Sequence, residues 1–252
     1  MSDKNPIIQK RPYRNPYYSI TDVALLGGGK NPKPGEISLA HNGVLFLDEF
    51  PEFSKRKIEL LRGPIEDSNV NICRINTMVT YPSNFILVAS MNPCPCGYYG
   101  SEDEKCSCTP EQIRRYMGKI SGPILDRIDL QIEVKRVKYE SMEKNGNQET
   151  SESIKNRVNK ARNIQIERYK NYNIYSNAEL TPNLIYKYCK LDEQGKNLME
   201  KAFEKLKLSV RAYDRILKVA RTIADLEEEK DINAKHLAEA IQYRSLDRKY
   251  FQ

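Results

Sequence analysis

Tryptophan is absent from the 252 residues, and there are only two histidines, His41 and His236. Neither histidine has a partner at metal-ligand spacing, so both read as packing or capping residues. No apolar run approaches the roughly 20 residues that cross a bilayer. Met1-Ser2-Asp3-Lys4 lacks the layout of a secretory signal. These absences predict a cytoplasmic chain with no membrane partner. A phosphate loop of the form Gly-x4-Gly-Lys-Ser/Thr is missing too. The nearest stretch, Leu25 to Gly35, puts Ala24 where the first glycine belongs and Asn31 where the hydroxyl belongs. Its composition reads as a flexible loop. No internal repeat is present.

Charged residues make up 30% of the chain and the net charge is +7. A polyanionic partner suits that charge, but so does a solvated lysine-rich surface. The length allows one large or two modest domains.

The strongest local signal is Gly43-Val44-Leu45-Phe46-Leu47-Asp48-Glu49-Phe50. A short continuous apolar run reads as a strand buried on both faces. Two carboxylates at its end project at the edge of a sheet, where open α/β folds place ligands. This is the Walker B pattern: Asp48 to hold Mg2+ through its water shell, Glu49 to polarise the attacking water. A core strand followed by an acidic turn is the plainer alternative. A second apolar strand, Phe85 to Ala89, leads into Ser90-Met91-Asn92-Pro93, and Pro93 ends it.

Other segments fall into place around these strands. Phe53 to Ile65 has helical spacing. Val70 to Tyr81 reads as a hairpin turning near Arg74 to Thr77. Thr109-Pro110 opens a helix to Met117, which Ser121-Gly122-Pro123 breaks. Leu130 to Val137 reads as a further strand. A polar, turn-rich linker covers 138–151. Beyond it the pattern is helical: Ile154, Val158, Ala161 and Gln165 share a face, Thr181-Pro182 starts another helix, and Asp192, Ser209 and Asn233 can cap later ones.

Four strings in order carry a family resemblance: Gly35 to Glu49, Ala89-Ser90-Met91-Asn92-Pro93, Ser121 to Asp129, and Arg211 to Asp225. Together they resemble the magnesium-chelatase-like AAA+ ATPases of bacteria, the ComM/YifB type. The resemblance implies an α/β fold: a partial AAA+ P-loop NTPase core over 1–137, then an all-α lid over 152–252. Members carry a Lon-like domain and the Walker A loop upstream of the matching region, so the chain reads as the C-terminal part of such a protein. The resemblance also implies residue roles. Asp48 and Glu49 match Walker B, and Asn92 matches sensor 1, whose amide donates and accepts without adding charge. Arg127 matches the arginine finger, which in trans accelerates hydrolysis about 10³-fold or more; a local ion pair with Asp126 or Asp129 is its alternative. Arg211 matches sensor 2, at a lid-helix start. Arg74 and Asn76 fall on the hairpin that points into the pore of related rings and can touch DNA. Implied cofactors are ATP and Mg2+, and the implied partners are further copies in a ring, a hexamer when intact.

Of the six cysteines, four form two C-x-C pairs, Cys94-Pro95-Cys96 and Cys106-Ser107-Cys108. Disulfides are disfavoured in a reducing cytoplasm. Four thiolates match a structural zinc site, although the spacing is tighter than the usual C-x2-4-C. Free thiols or a redox-sensitive loop remain open alternatives. Three functions follow: an ATP-driven motor on DNA, of the branch-migration type; a chelatase motor remodelling a metal-inserting partner; or a non-catalytic, zinc-stabilised assembly module.

Overall fold

The computed structural model describes residues 10–74, 77–101, 104–134 and 149–244. The chain divides into two compact units, one ending at Ile128 and the other starting at Asp129. Each has its own apolar core. A mixed α/β unit followed by an almost wholly helical one is the expected fold class.

In chain order the first unit has β1 (Tyr13–Arg14), α1 (Asp22–Leu26), β2 (Gly27–Gly28), β3 (Lys33–Pro34), α2 (Glu36–Leu39), β4 (Val44–Leu47), α3 (Lys55–Leu60), α4 (Arg62–Asp67), β5 (Asn69–Arg74), β6 (Thr77–Pro82), β7 (Ile86–Ala89), α5 (Pro110–Met117) and α6 (Gly122–Leu125). Strands β1, β4 and β7 form a parallel sheet with β4 in the middle. The register pairs Leu47 with Ala89, so β4 and β7 end level with one another.

Burial on both faces of β4 is not what the structure has. Leu45 and Leu47 are fully buried against Ile37, Phe50 and Ile58, whereas Val44 and Phe46 are half-buried. Neighbouring Tyr13, Ile86 and Val88 are exposed on the same side as Phe46. Among the described residues, only one face of the sheet has a core packed on it. Burying each of the two leucines contributes about 1.5–3 kcal/mol, which anchors the strand that carries Asp48.

Three local readings change. The helix expected over Phe53 to Ile65 is two helices that meet at Leu61, because Pro64 has no N–H to continue the ladder. The glycine-rich stretch is a small hairpin, β2 against β3. Gly27, at φ 111°, is required there, since a Cβ would lie 2.5 Å from the Lys33 carbonyl oxygen. α5 already stops at Met117, with Gly118 as its cap, and Ser121-Gly122-Pro123 starts α6 instead of breaking α5. The expected hairpin is present: β5 pairs with β6 out to Arg74 opposite Thr77, and Asn76 lies outside the described residues.

The second unit has α7 (Ser151–Arg168), α8 (Pro182–Tyr188), α9 (Glu193–Leu206), α10 (Val210–Leu226) and α11 (Ala234–Gln242). The Asp192, Ser209 and Asn233 side chains accept backbone N–H bonds at the starts of α9, α10 and α11, and Thr150 does so for α7. Each such cap contributes about 1 kcal/mol. His236 completes a capping box with Asn233, and His41 accepts the Asn84 N–H, so both histidines cap. Tyr169, Ile216, Leu217, Ala220 and Leu237 form the core. Of the face predicted for α7, Ala161 and Gln165 are buried, but Ile154 and Val158 are exposed.

The strand expected over Leu130 to Val137 is absent from its described part. Residues 129–134 have no regular structure, and Leu130, Ile132 and Val134 are exposed. Alternating apolar residues make a strand only beside a strand to pair with, and the β-pairing among this unit's described residues is an isolated bridge, Leu191 to Ile232. Residues 135–137, and most of the expected linker, lie outside the described residues.

Candidate functional site

Parallel pairing of β4 and β7 brings their carboxyl ends to one edge. The ladder continues past the strands: the Ser90 N–H donates to the Leu47 carbonyl at 3.1 Å, and the Phe50 N–H donates to the Ser90 carbonyl at 2.9 Å. Asp48 and Glu49 are exposed between these bonds. The Asp48 Oδ1 accepts a short bond from the Ser90 hydroxyl and one from the Glu49 N–H at 3.0 Å. Glu49 is left-handed, φ 51° and ψ 46°. A non-glycine residue in this region costs of order 1 kcal/mol and needs its surroundings to hold it. Here the Glu52 N–H donates back to the Glu49 carbonyl at 2.7 Å.

Asn92 is exposed two residues beyond Ser90. Its backbone N–H acts on the buried Tyr116 phenol from α5. Burial pushes that phenol up to about 12, the charges of Glu52, Cys94 and Glu49 add to the rise, and the Asn92 N–H opposes it. Glu49 also raises Tyr17, after a larger effect from the Tyr18 hydroxyl. Tyr17 lines a cavity of about 420 Å³ with Tyr13, Arg14, Asn15, Pro16 and Glu36. The loop lining it leaves β1, whose carboxyl end lies at the same edge as those of β4 and β7. Asp48 and Glu49 thus lie at the carboxyl edge of the sheet, and exposed Asn92 lies three residues past the end of β7 at Ala89. A hard cation takes oxygen ligands, and the exposed Asp48 carboxylate is a donor of that kind.

Arg127 is buried in the same unit. It donates to the Pro123 carbonyl at 2.7 Å and pairs closely with Glu66. Arg211 is exposed in the first turn of α10, in the second unit. Arg74 ends β5 at the hairpin tip.

The four-cysteine cluster is assembled. The Cys94, Cys96, Cys106 and Cys108 sulfurs all lie within 4.8 Å of one another. Cys94 to Cys96 is 3.3 Å, Cys96 to Cys106 is 3.5 Å and Cys94 to Cys106 is 3.7 Å. A tetrahedron with metal–sulfur bonds of about 2.3 Å has sulfurs about 3.8 Å apart. The Cys96 thiol is lowered to about 5, chiefly by the Tyr98 N–H and also by that of Ser107. For Cys106, the Cys108 N–H lowers the thiol, but burial and the neighbouring sulfurs outweigh it and push it up to about 12. Four clustered sulfurs with backbone N–H groups beside them are the donor set of a metal centre. The cluster is capable of coordinating a metal ion.

Three partners were not read from the sequence: Ser90 on Asp48, Tyr116 beside Asn92, and Glu66 on Arg127. The first was accessible. With both strands ending level, counting one residue past each end puts Ser90 opposite Asp48.

A parallel sheet with an acidic pair and an asparagine at its carboxyl edge, followed by a capped helical unit, defines a magnesium-chelatase-like AAA+ protein, and the chain belongs to that family. Residues 1–142 match the family described as magnesium chelatase, subunit ChlI, and residues 148–244 match its ChlI C-terminal family. Among individual relatives, the chain is 48% identical over 241 residues to competence protein ComM of Haemophilus influenzae, covering 95% of this chain and 46% of that protein. It is 44% identical over 243 residues to the uncharacterized protein YifB of Escherichia coli, with 95% and 46% coverage. It is 35% identical over 245 residues to Rv2897c of Mycobacterium tuberculosis, with 97% and 48% coverage. The chain spans about half the length of these relatives.

Proposed function

We propose that this chain is the Walker B and lid portion of a ring-forming, ATP-driven motor that acts on DNA in the cytoplasm. The observation that supports the reading is the shared carboxyl edge of β4 and β7, where the continued ladder sets Asp48 and Glu49 beside Ser90, two residues before Asn92. Asp48, steadied by Ser90, holds the water shell of Mg2+. Glu49, exposed at the end of the strand with a left-handed backbone, orients the attacking water. Asn92 bonds the γ-phosphate or that water. Bound Mg2+ supplies charge neutralisation on the phosphate oxygens. The phosphate-cradling loop comes from outside this sequence, which has no such string.

Arg211 serves as the lid's phosphate sensor, and Arg127 acts on the nucleotide of a neighbouring copy in a hexameric ring. Arg127 exchanges Glu66 for phosphate when it does so. The domain limits that go with this reading are core 1–137, linker 138–151 and lid 152–252. The cysteine cluster holds a structural Zn2+. The hairpin bearing Arg74 and Asn76 faces DNA.

The net charge of +7 and the competence name of one relative support DNA as the substrate. The chelatase description of the family favours a second reading, a motor that remodels a metal-inserting partner. Capture by the assembled protein, with ATP present, separates the two. Retention on forked DNA supports the first, and retention only on a tetrapyrrole chelatase subunit replaces it with the second. Calorimetry that finds no nucleotide bound even with a phosphate loop supplied leaves a non-catalytic assembly module.

A further inference from the structure

A single residue separates a cysteine from Asn92 at one end of the loop after β7 and from the start of α5 at the other. Cys94 lies two residues past Asn92, and Cys108 lies two residues before Pro110, the first residue of α5. The far end of α5 returns Tyr116 to the Asn92 N–H. A closed path results: Asn92, Cys94, the sulfur cluster, Cys108, α5, Tyr116 and back to Asn92.

Between 93 and 109 the backbone-to-backbone bonds among the described residues are local turns, Gly97 N–H to the Cys94 carbonyl and Ser101 N–H to the Tyr98 carbonyl. Cys94 is the one buried residue among those described there, and the segment has no helix or strand among its described residues. Gly97 turns it at φ 84°. Ordering such a segment costs roughly 1–2 kcal/mol per residue in backbone entropy. The loop has no apolar core to offset that cost. Weak S–H contacts among the sulfurs add little cohesion; a divalent cation at their centre adds far more.

We propose that one Zn2+ on Cys94, Cys96, Cys106 and Cys108 is the positioning element for Asn92, pinning the exit of β7 to the entry of α5. The structural claim rests on the zinc reading of the cluster. Its catalytic consequence rests on the nucleotide reading of the edge. Asn92 touches the nucleotide, and the cysteines act through it. Of the metals that take tetrahedral sulfur, zinc fits a closed site with no redox role.

The test uses the whole chain, purified with reductant from zinc-replete cells. Elemental analysis is expected to find one zinc per chain, and Co2+ exchange to give the absorption of a tetrathiolate. Zinc is then removed with an organomercurial, excess thiol and a chelator, and amide hydrogen exchange is followed by mass spectrometry. Exchange over residues 86–92 and 110–117 is expected to rise at least tenfold, to leave α10 unchanged and to reverse when Zn2+ is restored. The Cys106→Ser variant should show the same pattern without chemical treatment. A chain with no metal, or with iron in place of zinc, overturns the zinc reading. Bound zinc whose removal leaves 86–92 unchanged, or loosens α10 equally, overturns the positioning role. Failure of the nucleotide reading looks different: the zinc-dependent exchange persists while a Glu49 variant turns over ATP normally.

Discussion

The Ser90 hydroxyl donates directly to the Asp48 carboxylate, across the ends of two neighbouring parallel strands. This bond chooses one orientation of an exposed carboxylate. Partners of metal-holding groups typically contribute 10–100-fold to affinity or activity. Ser90→Ala is therefore expected to raise the Mg2+ requirement of ATP turnover at least tenfold in the assembled protein, with Ser90→Thr retaining most of it. An unchanged Mg2+ titration in the alanine variant would show that the bond plays no part in metal binding.

Asp225 is the most heavily used buried charge. Fully buried, it accepts from Arg168 at 2.5 and 2.8 Å, from Asn177 at 2.8 Å and from Arg221 at 3.2 Å. Removing one partner of a buried ionic network costs about 3–5 kcal/mol, because the remaining charges stay desolvated. Asp225→Asn should lower the urea midpoint of the second unit by that equivalent. Removing the exposed Lys160–Glu228 pair should leave the midpoint unmoved. Equal shifts from the two changes would refute a special role for the buried network.

Burial pushes the Cys189 thiol from 9.0 up to about 11. The unfolded chain therefore loses this proton first as pH rises. Between about pH 9 and 11 the folded state binds more protons, so stability falls with rising pH; below pH 9 the contribution is complete. Over that window the loss is roughly 2–3 kcal/mol. Cys189→Ala should flatten this part of the stability–pH curve, measured by urea unfolding at each pH, although it adds a small cavity cost at all pH values. A slope identical to the parent's would mean that Cys189 ionises normally.

Much of this was legible because local rules and tertiary structure agree. Thr109-Pro110, Asp192, Ser209 and Asn233 are caps in sequence and in structure, since a side-chain oxygen over a helix start needs no distant partner. The acidic pair after an apolar strand was legible for the same reason. What failed depended on neighbours. Leu130, Ile132 and Val134 alternate like a strand but have none beside them. Phe46 and Val44 read as buried, yet which face of a strand is covered is decided by elements far away in sequence. Glu66 lies 61 residues from Arg127, and no local pattern announces their pairing. The C-x-C pairs showed which atoms were available; only folding shows that all four sulfurs meet.

The most direct test of the magnesium-nucleotide edge is single-turnover ATP hydrolysis by the assembled protein carrying Glu49→Gln, with nucleotide binding followed in parallel. The amide keeps the side chain's shape and removes the charge that orients water. Hydrolysis should fall by about 10²-fold or more, with ATP still bound and Mg2+ dependence retained. Parent-like turnover in that variant would contradict the account.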